Sequence, residues 1–224
     1  MLAAAAAEPE RLVVGVDASA AAMVEASRKA ARRPERGGLP NALFVVAAAE
    51  ALPRELDGLA DLVTVHFPWG SLLRGLLAAD PAVMAGLAQV MAPGAGLSVL
   101  VSSTGRDRGA GVGTITERAL AGLATGYGRH GLAVTGLRPA TAADVAASRS
   151  TWGKRLGAGV RRPAWLLEAC RSAEPGQAGP GLLEPGRGLV QAGPGVGDGE
   201  PLADGPECVP ARAEVVQLRP VEGD

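Results

Sequence analysis

RLVVGVDASAAAMVEASRKAARRP, residues 11–34, decides the fold. Its first part, RLVVGVD, is apolar and rich in valine without polar alternation, as in a parallel strand covered on both faces. An acidic residue, Asp17, closes that run. Ser19 then stands where a helix N-cap belongs, and an alanine-rich helical pattern runs on until Pro34 stops it. A buried strand that turns directly into a helix is the unit of an α/β sheet.

Working outward, NALFVVAAAE (41–50), DLVTVHF (61–67), GLSVLVSS (96–103), LAVTGLRPA (132–140) and RPAWLLEA (162–169) read as further strands. Two short helices flank Pro81. TERALAGLATGYGRHG (116–131) reads as one helix, and TAADVAASRS (141–150) as another with Thr141 as its cap. Strands alternate with helices, so the sheet is expected to be mostly parallel.

The chain has 224 residues, enough for one ordinary domain with appendages. Its two cysteines, Cys170 and Cys208, show neither CxxC nor metal-ligand spacing, so no disulfide framework and no zinc site is expected. MLAAAAAEPE lacks the basic start of a signal peptide, and no apolar run is long enough to span a membrane. The expectation is a cytoplasmic, monomeric protein with no metal and no membrane partner. A net charge of −1 conceals a division: residues 171–224 hold 4 basic and 9 acidic residues, and residues 1–170 hold 18 and 14. Only the first part suits an anionic partner. The 171–224 segment is also dense in Gly and Pro with no sustained hydrophobic period, which predicts a disordered acidic tail. Within it only EVVQL, 214–218, has the makings of a strand. The expected domain is therefore 1–170.

Ligands of open parallel sheets bind outside the carboxyl ends of the strands. That selects Asp17, then Ala49 and Glu50, then Phe67, Pro68, Trp69 and Ser71. An acid at such a place either accepts hydrogen bonds from ribose hydroxyls or sits as an ordinary carboxylate at a helix start. A glycine-rich turn and a strand should precede it, yet only MLAAAAAEPE lies upstream. GAGVGT, 109–114, follows the fourth strand instead and reads as a flexible loop. Trp69 is conspicuous because the chain is only 3% aromatic and its core is built from Ala, Val and Leu.

Three blocks carry a resemblance: the run from VVGVD through NALFVVAAAEALP (13–53), DLVTVHFPWGSLLRG (61–75) and STWGKRLGAGVRRP (150–163). Together they resemble the Kam group of aminoglycoside-resistance 16S rRNA methyltransferases, which modify N1 of a decoding-site adenine in the 30S subunit. The resemblance implies a Rossmann-like, S-adenosylmethionine (SAM)-dependent fold, with a sheet here lacking its N-terminal first strand and glycine motif. It implies that Asp17 holds the SAM ribose, that Ala49 and Glu50 lie beside its adenine, and that Ser71 and Ser150 line the same pocket. It implies that Trp69 and Trp152 hold the target base. Arg32, Arg33, Lys154, Arg155, Arg161 and Arg162 match or adjoin basic positions facing rRNA.

These roles make chemical sense. An enzyme that modifies a base must unstack it, and an aromatic face returns about 1–3 kcal/mol per stacked base. Adenine N1 carries a lone pair and no proton, so an in-line methyl transfer needs no general base. His66 and His130 accordingly read as structural or surface residues. Two readings stand beside this one: an rRNA-binding remnant without activity, and a different Rossmann-type nucleotide enzyme.

Overall fold

All five residues of the first strand, β1 (Val13–Asp17), are buried, so it is covered on both faces. A computed structural model describes residues 1–102, 112–150, 158 and 162–173, and the backbone of 215–219. The elements are α1 (Leu2–Ala7), β1, α2 (Ala20–Ala30), β2 (Ala42–Val46), β3 (Ala60–His66), α3 (Gly70–Ala78), α4 (Pro81–Val90) and β4 (Met91–Val101). There follow α5 (Glu117–Ala121), α6 (Leu123–Gly128), β5 (Leu132–Pro139), α7 (Ala142–Ala147), β6 (Trp165–Arg171) and β7 (Val215–Arg219).

Local chemistry explains the helix starts. The Ser19 hydroxyl accepts from the Ala22 N–H, 3.4 Å away. Asp80 caps α4 by accepting from Ala82 and Val83, with Pro81 in the first turn where its missing N–H costs nothing. Thr141 and Asp144 form a reciprocal capping box at α7. The single helix expected over 116–131 divides at Gly122, a residue that gains little from helical backbone.

The sheet has seven strands in the order β2-β1-β7-β3-β4-β6-β5. β1, β2, β3, β4 and β7 run parallel, whereas β6 is antiparallel to both neighbours. Thus the α/β expectation holds, but two of its details change. The 171–224 segment is not tail throughout, because Val215–Arg219 lies between β1 and β3. Nor is the sheet open at its middle. A strand so placed satisfies main-chain groups of β1 and β3 that would otherwise be buried unpaired, and this outweighs the poor composition around it. A third expectation also fails: Cys170 on β6 is disulfide-bonded.

The main core packs Leu72, Leu73 and Leu76 of α3 and Val83, Met84, Leu87 and Val90 of α4 with Val63, Val65, Leu97 and Val99 of the sheet. Tyr127 is fully buried there, and its hydroxyl donates to the Leu76 carbonyl near the end of α3 at 3.3 Å. On the 109–114 stretch, the described residue Val112 is buried in this core, as is Ile115 just beyond. Near the N-terminus, the Asn41 amide lies 2.9–3.0 Å from the carbonyls of Ala5, Glu8 and Arg11, latching α1 and the loop after it to the start of β2.

Candidate active site

Strand register brings the sequence-selected residues to one edge. Asp17 stands level with Val46 of β2 and Arg219 of β7, Val65 pairs with Leu218, and His66 pairs with Leu100 of β4. The carboxyl ends of five parallel strands therefore finish together. The start of β6 joins them, because Trp165 pairs with Val101 and with Pro139 at the end of β5.

Asp17 is 2% exposed, and one of its carboxylate oxygens accepts from the Ser19 N–H at 2.8 Å. Its backbone carbonyl accepts from Ala47 at 3.1 Å, so the ends of β1 and β2 are tied together. Ala49 is buried and Glu50 exposed in the turn beyond β2. α4 presses on this turn through Gly86, where a Cβ would lie 1.9 Å from the Ala49 carbonyl oxygen. Glycine is the one residue that allows this approach.

FPWG, 67–70, makes the rim after β3. Phe67 adopts φ 51° and Gly70 φ 62°, so two left-handed residues bracket Pro68 and Trp69. A bulky residue in that region is strained, and strain persists only where packing over-determines it. Here Phe67 is 1% exposed among Leu100, Ala140, Val145, Ala158, Ala164 and Leu166, and its N–H donates to Leu100 at 2.7 Å. The buried phenylalanine thus anchors the turn. Trp69 is half-buried at the N-cap of α3, and Ser71 is exposed in that helix's first turn.

Further residues close the edge from the β5–β6 side. Ser102 donates to the Pro163 carbonyl at 2.9 Å, and Ala140 donates to Ala164 at 2.8 Å, which fixes the chain entering β6 and leaves Arg162 exposed beside it. Ser150 follows α7 directly, its N–H donating to the Ser148 hydroxyl at 3.3 Å after Arg149 turns the chain with φ 48°. Trp152, Lys154, Arg155 and Arg161 lie outside the described residues. Arg32 and Arg33 do not join this edge. They are exposed beyond the far end of α2, about 16 Å back along the helix and near the amino ends of the strands.

Sequence reasoning did not single out Gly86, Ser102 or the backbone of Phe67. A glycine inside an apolar helix was a signal for the first. The other two depend on contacts between distant segments. Among the described residues, no group of three His, Cys, Asp or Glu is placed to hold a metal, and no single helix is long and apolar enough to cross a membrane.

Residues 1–171 match the family model "NpmA: 16S rRNA (adenine(1408)-N(1))-methyltransferase". The chain belongs to this family. It is 40% identical over 157 residues to the 16S rRNA (adenine(1408)-N(1))-methyltransferase of Streptoalloteichus hindustanus, covering 66% of this chain and 70% of that one. A tryptophan-to-alanine mutant of the Catenulisporales acidiphilia enzyme of the same description, crystallised with the cosubstrate SAM, superposes with a TM-score of 0.69 at 34% identity over 76% of this chain and 80% of that one. The aminoglycoside resistance methyltransferase NpmB1 does so with a TM-score of 0.62 at 34% identity, over 76% and 80%. NpmA-family membership makes the chain one of a family of SAM-type methyltransferases, and sets aside the reading as a different Rossmann enzyme.

Proposed function

We propose that this chain methylates N1 of adenine 1408 of 16S rRNA in the 30S subunit, with SAM as donor, and so confers aminoglycoside resistance in the bacterial cytoplasm. The observation that carries the reading is the shared carboxyl edge, where buried Asp17 and the strained FPWG turn meet in a chain matched by this family over residues 1–171. The residues suit the cofactor: a carboxylate at a strand end for ribose hydroxyls, and a small, tightly packed turn at Ala49–Glu50 for adenine. Ser71 and Ser150 complete the proposed pocket. When bound, SAM supplies an electrophilic methyl group.

The chain's own work is positioning. Trp69, fixed by the turn that Phe67 anchors, offers an indole face to the extruded base, and Trp152 is its proposed partner. Adenine N1 has no proton to lose, so no side chain need act as a base. Orientation alone is worth several kcal/mol in such reactions. Arg162 on the site edge and Arg32 and Arg33 at the opposite edge suit phosphates well separated on the rRNA, and Lys154, Arg155 and Arg161 are proposed as further phosphate contacts. The proposed unit is a monomer.

The test is methyl transfer from labelled SAM to purified 30S subunits, followed by primer extension through the decoding site. Incorporation with a reverse-transcription stop at adenine 1408 is the expected result. Trp69→Ala should retain SAM binding and lose about 5- to 150-fold in transfer, from the ~1–3 kcal/mol of one stacked base. Absence of both label and stop from the full chain would refute the activity.

A further inference from the structure

β7 lies in the middle of the sheet, although every other described strand precedes it in the chain. It pairs in parallel with β1 over Val13–Asp17 on one side and with β3 over Leu62–Val65 on the other. Remove it and two fully formed strands face each other across a vacant strand position, each with a row of unpaired N–H and C=O groups. With β7 in place all five residues of β1 are buried, so its pairing covers that row of groups from solvent.

Two further observations give the placement meaning. First, β7 sits where the strand order turns: β1 and β2 lie to one side, β3 and β4 to the other. Ligand crevices of open parallel sheets occur at that switch, beyond the carboxyl ends. Register sets Arg219, the end of β7, level with Asp17. Second, the end of β6 and the start of β7 lie on the same edge of the sheet. β6 runs antiparallel and ends at Arg171 by the amino ends of the parallel strands, where β7 begins at Val215. The two strands are three positions apart, about 14 Å at ordinary strand spacing.

We propose that the position between β1 and β3 is a strand-docking site whose occupant is Val215–Arg219 of the same chain, held by main-chain hydrogen bonds on both sides, and that SAM binding requires it to be seated. The requirement for SAM rests on the methyltransferase reading; the docking does not. The segment supplies the central strand of the cofactor site from the far end of the chain, so it is a working part of the domain and not an appendage. Affinity comes from backbone pairing, as in strand addition to a sheet edge, but with two edges engaged at once.

Hydrogen exchange of the full-length chain, read by mass spectrometry, tests the docking. Amides of 215–219 should exchange as slowly as those of Val63–Val65 in β3, in a particle of one chain's mass by light scattering. Exchange at the rate of unstructured peptide would overturn the proposal. Protection in a particle of two chains would overturn the same-chain occupant and indicate a strand exchanged between copies. Full-length Val216→Pro then tests the coupling, because proline removes one ladder donor from a central strand. It should release protection in β1 and weaken SAM binding at least tenfold by calorimetry, and a synthetic 211–224 peptide added in trans should restore both. Unchanged SAM affinity in Val216→Pro would overturn the coupling. Slow exchange at 215–219 in a parent chain that binds no SAM would instead refute the cofactor reading.

Discussion

Gly86→Ala probes how α4 supports the cofactor edge. The added methyl would stand 1.9 Å from the Ala49 carbonyl oxygen and 3.1 Å from its carbon. Ordinary contact begins near 3.4 Å, so the carbonyl must retreat by about 1.5 Å or α4 must tilt away. In an open helix interior the same change gains about 1 kcal/mol. Overpacking against backbone costs about 1–3 kcal/mol, and a carbonyl yields less readily than a flexible side chain. Loss should prevail by about 1–2 kcal/mol, which lowers Tm by roughly 2–8 °C for a chain of this size. Because Ala49 and Glu50 face the proposed adenine site, SAM affinity should also fall; displacements near 1 Å cost on the order of 10²-fold in tuned sites. Differential scanning calorimetry and titration with SAM measure the two effects. Gly113→Ala, where a Cβ meets nothing within 4 Å, is the matched control and should be neutral. A Gly86→Ala protein as stable as the parent, with unchanged SAM affinity, would refute this account of the turn.

Three other perturbations follow from the packing. Burial pushes the Tyr127 hydroxyl well above its ordinary 10.0, so the neutral form supports the fold in full below that pH and the support is lost as pH rises beyond it. Tyr127→Phe should cost about 0.5–1.5 kcal/mol at neutral pH and flatten the alkaline side of a denaturation profile; an unaltered alkaline limb would count against it. Asp144 is held far below the usual carboxylate range, chiefly by hydrogen bonds from Arg138 and then from Thr141. Its contribution is complete above the ordinary carboxylate value and fades only as pH falls below about 4, so Asp144→Asn should lower Tm at pH 7 and lessen the further fall in acid. At Phe67, truncation to alanine should cost about 3–5 kcal/mol, and Phe67→Gly should be no worse, because glycine relieves φ 51°. A glycine variant less stable than the alanine one by urea titration would show that the left-handed backbone carries no strain.

The parts of the fold written in local pattern were legible. Ser19 and Thr141 announce helix starts by residue type, and each caps as its chemistry predicts. The valine-rich runs become strands, and their carboxyl ends bring Asp17 and the start of the FPWG turn to one edge of the sheet. What stayed hidden depends on partners distant in sequence. EVVQL has little to recommend it within a Gly- and Pro-rich tail, and its worth comes from two strands waiting on either side. The left-handed turn at Phe67 is likewise set by the cavity its ring fills, and not by its own preference. Gly122 is the opposite case: the helical pattern of 116–131 runs on across a residue that interrupts the helix.

A central strand encoded behind all the other described ones also shapes how the molecule is made. During synthesis β1, β2, β3 and β4 emerge well before residue 215, and the sheet they build has an unfilled lane in its middle. Non-local parallel pairing is slow to form, and exposed strand edges invite pairing with other chains. The nascent protein must therefore pass through an adhesive, half-built stage whose length is set by translation from Arg171 to Arg219. Slow codons or a C-terminal fusion that delays the seating of β7 would prolong that stage, and yield of soluble protein would fall without any change to the finished fold.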